Sequence, residues 1–346
     1  MSNFADSTTQ ETQRTRELGS QQEGGAKLTP GGKERVRRGW LWERALCGVI
    51  PPMISPLTAS GEPDETAIRK LVKHILGGGC SGLFVLGGCG EGAWLTARQR
   101  AAVVRATVRA ASGRVPVLVG IMLPATGPAT EAARQAADEG ADALVIGSPY
   151  YYPVDSAIQE RHVEAILKAV SRPALLYNIP QCTHHTLSPA SVARLGQDER
   201  VLGIKDSAGN FEAFQRFLAV KQRRLTFRVL QGDESLAAAS LMQGADGLVP
   251  GMANFVPRLF VSLHEAAAKG DAATCADLQR QITDLTSLHG HGHWLPALKA
   301  ACALVGLGNG RPSPPLSPAS DEHRRAIAAI LRRHRVLSGQ RSPRPR

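Results

Sequence analysis

Lys205 ends an apolar run, Val201-Leu202-Gly203-Ile204, so its amine is expected against a dry wall. Desolvation disfavours the ammonium form, and a neutral amine attacks the carbon of a ketone to give a Schiff base. The plainer alternative is an ion pair of Lys205 with Asp206 or Glu91 that only holds structure. Tyr177 ends the preceding apolar run. A phenol both donates and accepts, so there it could exchange a proton with a carbinolamine or a product oxyanion, or simply pack at a rim with its hydroxyl bonded. Gly87-Gly88-Cys89-Gly90 follows another run and exposes backbone N–H groups that can hold a carboxylate. By itself such a turn says little, because any tight connection uses glycine.

For these groups to meet, one scaffold must gather the ends of several strands. Short apolar runs recur at 46–50, 83–86, 115–119, 143–146, 174–177, 201–205, 227–230 and 247–249. Most are about 30 residues apart, the spacing of a strand, loop, helix and loop. Between the first two, Ile68, Leu71, Val72, Ile75 and Leu76 fall on one helical face, with Asp64 as N-cap and Gly77 as stop. Thr96 and Gly113 bracket the next helix. A doubly wound sheet is the rival, but eight even units without a Gly-rich first turn favour a closed (β/α)8 TIM barrel, whose active sites lie at the C-terminal ends of the strands. Further helices are expected at 257–268, 271–288 and 294–304, then a Pro-rich linker at 312–318 and a last helix at 321–335. The fold class is therefore a TIM barrel with a C-terminal helical extension. Residues 1–44 form a segment whose polar composition predicts disorder, 45–256 the barrel core, 257–336 the C-terminal helices and 337–346 a basic tail.

The order and spacing of Gly87-Gly88-Cys89-Gly90-Glu91, Pro149-Tyr150-Tyr151, Tyr177-Asn178-Ile179-Pro180, Gly203-Ile204-Lys205-Asp206-Ser207 and Gln231-Gly232-Asp233 carry a resemblance. From about residue 48 to residue 331 the chain resembles the dihydrodipicolinate synthase and N-acetylneuraminate lyase family of class I pyruvate aldolases. The resemblance implies that Lys205 forms the Schiff base and that Tyr177 relays protons. It further implies that the turn at Gly88 and Cys89 binds the pyruvate carboxylate, and that Tyr151 reaches into a neighbouring subunit's site in a homotetramer built from tight dimers. Val249, closing the eighth run, is expected against the substrate.

Two motifs depart from the family pattern. Its glycine-rich motif usually carries two hydroxyl residues where this chain has Gly88 and Cys89, and a thiol is a weaker donor. Dihydrodipicolinate synthases proper carry an arginine where this chain has Cys182; losing such a carboxylate clamp removes about 2 to 5 kcal/mol of recognition. That turns the resemblance away from aspartate semialdehyde and toward a neutral or polyhydroxylated acceptor. Dehydration of a 2-keto-3-deoxy sugar acid on the same lysine is the alternative reaction. A catalytically weakened 2-keto-acid binding protein is the alternative of another class.

The net charge is +11, with much of the excess in the arginines after residue 323, which read as a solvated helix face and tail rather than a nucleic-acid site. Hydrophobic residues make up 43% of the chain, yet none of its runs reaches about 18 residues without charges or polar clusters, so a soluble protein without membrane partners is expected. Six scattered cysteines and a polar N-terminus point to the cytoplasm. His289, His291 and His293 alternate with glycine, but they follow the eighth run and are expected away from the barrel mouth, so they are not taken as a metal site. His184 and His185 read as a polar loop pair, and Gly306, Gly308 and Gly310 as a loop rather than a dinucleotide fingerprint. No cofactor is expected; the partners are a 2-keto-acid substrate and further copies of the chain, as a dimer or tetramer.

Overall fold

A computed structural model describes residues 46–337 of the chain. The expectation for 1–44 falls wholly outside them, and that for the basic tail, 337–346, falls outside them but for its first residue. The described chain opens with helix α1 (Glu65–Gly77), capped as expected by Asp64, whose carboxylate accepts from the Ala67 amide at 2.9 Å. Strand β1 (Leu83–Val85) follows, then α2 (Ala97–Ala111), started by a capping box between Thr96 and Gln99. The alternation continues through β2 (Val117–Ile121), α3 (Thr126–Asp138), β3 (Ala143–Gly147), α4 (Ser156–Ala169) and β4 (Ala174–Asn178). Two short helices, α5 (Pro180–Thr183) and α6 (Pro189–Leu195), lead to β5 (Val201–Asp206), then α7 (Phe211–Arg223), β6 (Arg228–Gln231), α8 (Ala237–Met242) and β7 (Gly247–Leu248).

The seven strands form one parallel sheet in sequence order. Their residues are almost wholly buried, as the near-continuous apolar runs require when both faces of a sheet are covered. The first run, 46–50, is not a strand. Val49 within it and Pro52 just after it make isolated parallel bridges, to Leu248 and Phe84, because Pro51 and Pro52 have no N–H to continue a ladder. The bridges nonetheless reach both edges of the sheet: the Ile50 amide donates to Leu248 O at 2.9 Å, and the Met53 amide to Phe84 O at 2.7 Å.

Beyond β7 come α9 (Pro257–Ala268), α10 (Ala272–Thr286), α11 (Trp294–Leu304) and α12 (Asp321–Arg333). The spans expected at 257–268 and 294–304 agree with the structure. The helix expected to reach 288 ends at Thr286 and passes into a 3-10 turn, Ser287–Gly290. Helix α10 packs on α9, and α11 on α12, through buried residues such as Ile282, Phe260, Leu298 and Ile327.

Candidate active site

Strands β4 and β5 set Tyr177 directly opposite Lys205 in register. The Lys205 amine lies 3.1 Å from the Tyr177 hydroxyl, and both side chains are nearly sealed, at 4% and 3% exposure. The nitrogen also stands 4.2 Å from the centre of the Tyr177 ring and 4.9 Å from that of Phe84. Burial pushes the Lys205 ammonium down to about 8, against a weaker upward pull from Cys89, Cys182, Asp206 and Glu234. Roughly a tenth of such amines are neutral at pH 7, several hundred times the share of a free lysine. Burial also drives the Tyr177 phenol well above its ordinary range, so it rests as a proton donor; a hydrogen bond to Ser207 works the other way.

Neither structural ion pair considered for Lys205 forms. Glu91 is taken by Lys299, and its carboxylate also accepts from the Ser313 amide. Asp206 is fully buried, accepts from Asn178 Nδ2 at 2.6 Å through one oxygen and, among the described residues, has no hydrogen-bond partner at the other; burial pushes it up to about 6. Among the described residues Lys205 has no carboxylate within ion-pair distance.

After β1 the amides of Gly90 and Gly92 turn back to Gly87 O, and that of Glu91 to Gly88 O. Among the described residues the Gly88 and Cys89 amides donate to no backbone carbonyl, which leaves both able to take an anion. The Cys89 thiol is pushed up to about 12, mainly by burial, so it is a neutral, weak donor.

The groups meet in a cleft of two lobes. The larger, about 520 Å³, is lined by Lys205, Tyr177, Gly88, Cys89, Cys182 and Val249 together with Ser207, Asp233 and Glu234. The smaller, about 320 Å³, shares Gly88, Tyr177 and Cys182 and is walled by Met122, Trp94 and Trp294. Every expected site residue but one therefore borders the cleft. The exception is Tyr151, which lies outside both lobes, 80% exposed and at φ +86°.

The histidine expectation needs correction. His289 borders the larger lobe, with Nε2 3.9 Å from Glu234 Oε2, and His293 borders the smaller. The connection from α10 to α11 folds over the strand ends, which periodicity does not register because the packing is long-range. Ser207 and Asp233, quoted above only as parts of motifs, and Glu234 also line the larger lobe. They sit just beyond the ends of β5 and β6, where a barrel keeps its chemistry, and that rule could have found them.

A family model described as the dihydrodipicolinate synthetase family matches residues 45–334. The chain belongs to the dihydrodipicolinate synthetase family. Within it, the chain is 32% identical over 294 residues to an Escherichia coli K12 protein named "Probable 2-dehydro-3-deoxy-D-pentonate aldolase YjhH", covering 84% of this chain and 98% of that one. The fold matches the crystal structure of YagE, an E. coli K12 prophage protein of the family in complex with pyruvate, with a TM-score of 0.81, 29% identity, and 84% and 99% of the two chains covered. Dihydrodipicolinate synthase from Bacteroides thetaiotaomicron matches with a TM-score of 0.79 and 33% identity, over 83% and 98%. Relatives in the family are named as aldolases and synthases, and this member is a lyase. Its parallel sheet flanked by helices is the family's frame.

Proposed function

We propose that this family member is a class I aldolase or synthase that holds pyruvate, or a related 2-keto acid, as a Schiff base on Lys205. The observation that carries the reading is a desolvated amine 3.1 Å from a sealed phenol, at the floor of an open cleft. Lys205 attacks the keto carbon, the iminium serves as electron sink, and Tyr177 moves protons during C–C cleavage or formation. The amides of Gly88 and Cys89 take the carboxylate, while Cys182 and Val249 form the wall. This chemistry asks for no cofactor.

The acceptor in this reading is a neutral, polyhydroxylated aldehyde rather than aspartate semialdehyde. Asp233 and Glu234 in the larger lobe disfavour a second carboxylate, Cys182 offers it no cation, and YjhH carries a pentonate name. Tyr151 completes a neighbouring subunit's site in a homodimer or tetramer. Its exposure supports this, as does a left-handed backbone that a bulky residue adopts only at a cost. The sheet is read as a (β/α)8 barrel closed by residues 48–53, on the strength of their hydrogen bonds to both edges. The barrel core is taken as 45–256 and the extension as 257–336. The six scattered cysteines fit a reducing compartment such as the cytoplasm, and among the described residues no helix is long and apolar enough to cross a membrane.

Borohydride reduction in the presence of pyruvate, followed by peptide mass analysis, tests the reading. A reduced adduct on Lys205 is expected, and an unmodified Lys205 rejects the mechanism. A retro-aldol screen with 2-keto-3-deoxy sugar acids then separates cleavage from dehydration.

A further inference from the structure

A phenol as buried as Tyr177 needs a neighbour through which a lost proton returns. Lys205 occupies one side of its hydroxyl. Ser207 follows the last residue of β5, and its amide donates to Asn178 O at 2.9 Å, extending the ladder beside Tyr177. Side chains two apart along a strand project to one face, so the serine hydroxyl shares the side of the Lys205 amine. A Cβ built on Gly232 would stand 2.1 Å from Ser207 Oγ and 2.9 Å from Lys205 Cε, so both groups crowd one point. The hydroxyl stands near enough to Tyr177 to hold its phenol down against burial, and it borders the larger lobe, where water has access. Cys89 and Cys182, the thiols beside Lys205, are raised by burial and are poor proton carriers while neutral.

We propose that Ser207 is the relay hydroxyl through which Tyr177 exchanges protons with the water of the cleft. The proposal rests on the Schiff-base reading. When the carbinolamine collapses, its C–O bond breaks, the nitrogen lone pair forms the C=N bond, and the departing oxygen takes the Tyr177 proton and leaves as water. The phenolate takes the Ser207 proton, and the serine takes one from cleft water, leaving hydroxide opposite the iminium. Enamine formation reverses the flow: the C3 proton goes to Tyr177 as Tyr177 passes its own to Ser207, and Ser207 passes one to the hydroxide, which becomes water. Nothing is oxidised or reduced.

The test uses the full chain and pyruvate alone, with two readouts: borohydride trapping on Lys205, and exchange of the pyruvate methyl protons in D2O followed by NMR. Ser207→Ala is expected to form the trapped adduct more slowly but to the same final yield, while exchange falls at least tenfold, on the order of a lost general acid–base partner. Ser207→Thr, which keeps a hydroxyl, is expected to exchange within about threefold of the natural protein. Adduct and undiminished exchange in Ser207→Ala overturn the relay and leave the Schiff base standing. Loss of exchange in both variants also overturns it, because the hydroxyl is then not what matters. A natural protein that traps no pyruvate overturns the Schiff-base reading and the relay with it.

Discussion

Glu91 and Lys299 form a buried ion pair that ties the glycine turn after β1 to helix α11, more than two hundred residues along the chain. Lys299 also donates to Arg311 O at 2.8 Å, and Glu91 accepts from the Ser313 amide, so the linker after α11 is bound into the same knot. The turn whose amides are proposed to take the carboxylate is thus held from outside the sheet.

Removing one partner strands the other's charge in a dry site. Lys299→Met is expected to cost about 3 to 5 kcal/mol of stability by denaturant titration, and to raise the pyruvate KM more than it lowers kcat. The double variant Glu91→Gln, Lys299→Met should recover much of that stability without restoring KM. Equal damage from single and double variants would show that the pair does not couple the two regions.

Much of this frame was legible from local pattern. Asp64 and Thr96 cap the helices they were expected to start, and the strand ends carry Lys205 and Tyr177 where alternating apolar runs put them. What escaped depends on contacts far apart in sequence. Nothing near Lys299 announces Glu91, and the glycine-spaced histidines carry no periodic signal that the α10–α11 connection lies over the cleft. The run at 46–50 looked like a strand by composition, but the two prolines after it limit it to bridges.

Because only the neutral amine attacks, the rate of adduct formation on Lys205 should rise with pH through about 8 and level off above it, following the lowered lysine. Stopped-time trapping across pH 6 to 9.5 reads this as a titration curve with roughly tenfold gain per unit below the midpoint. A midpoint near that of a free lysine would mean that the site does not desolvate the amine.

Cys182 borders both lobes, within electrostatic reach of Lys205. Cys182→Arg adds a guanidinium fork there and is expected to raise kcat/KM for aldehydes bearing a carboxylate relative to neutral ones by about 30-fold, or roughly 2 kcal/mol. Unchanged discrimination between the two aldehyde classes refutes the account of that position.

Tyr151 and Lys205 should complement across subunits if Tyr151 acts on a neighbour. Lys205→Met and Tyr151→Phe are each expected to be nearly inactive alone, and after mixing and reassociation to regain about a quarter of the natural activity through hybrid dimers. A mixture no more active than its parents places Tyr151 outside the partner's site.

Gly232 leaves the space that Lys205 and Ser207 occupy. A methyl group there would meet Ser207 Oγ at 2.1 Å and Asp206 O at 3.0 Å, so Gly232→Ala must displace either the serine side chain or the β6 end. Overpacking of this kind costs about 1 to 3 kcal/mol, a loss that denaturant titration can measure. Activity should fall much further than stability, at least a hundredfold in kcat, because the methyl also stands 2.9 Å from Lys205 Cε and turns the amine from the cleft. A stably folded Gly232→Ala protein with undiminished pyruvate trapping would mean that the lysine reaches the ketone by another route.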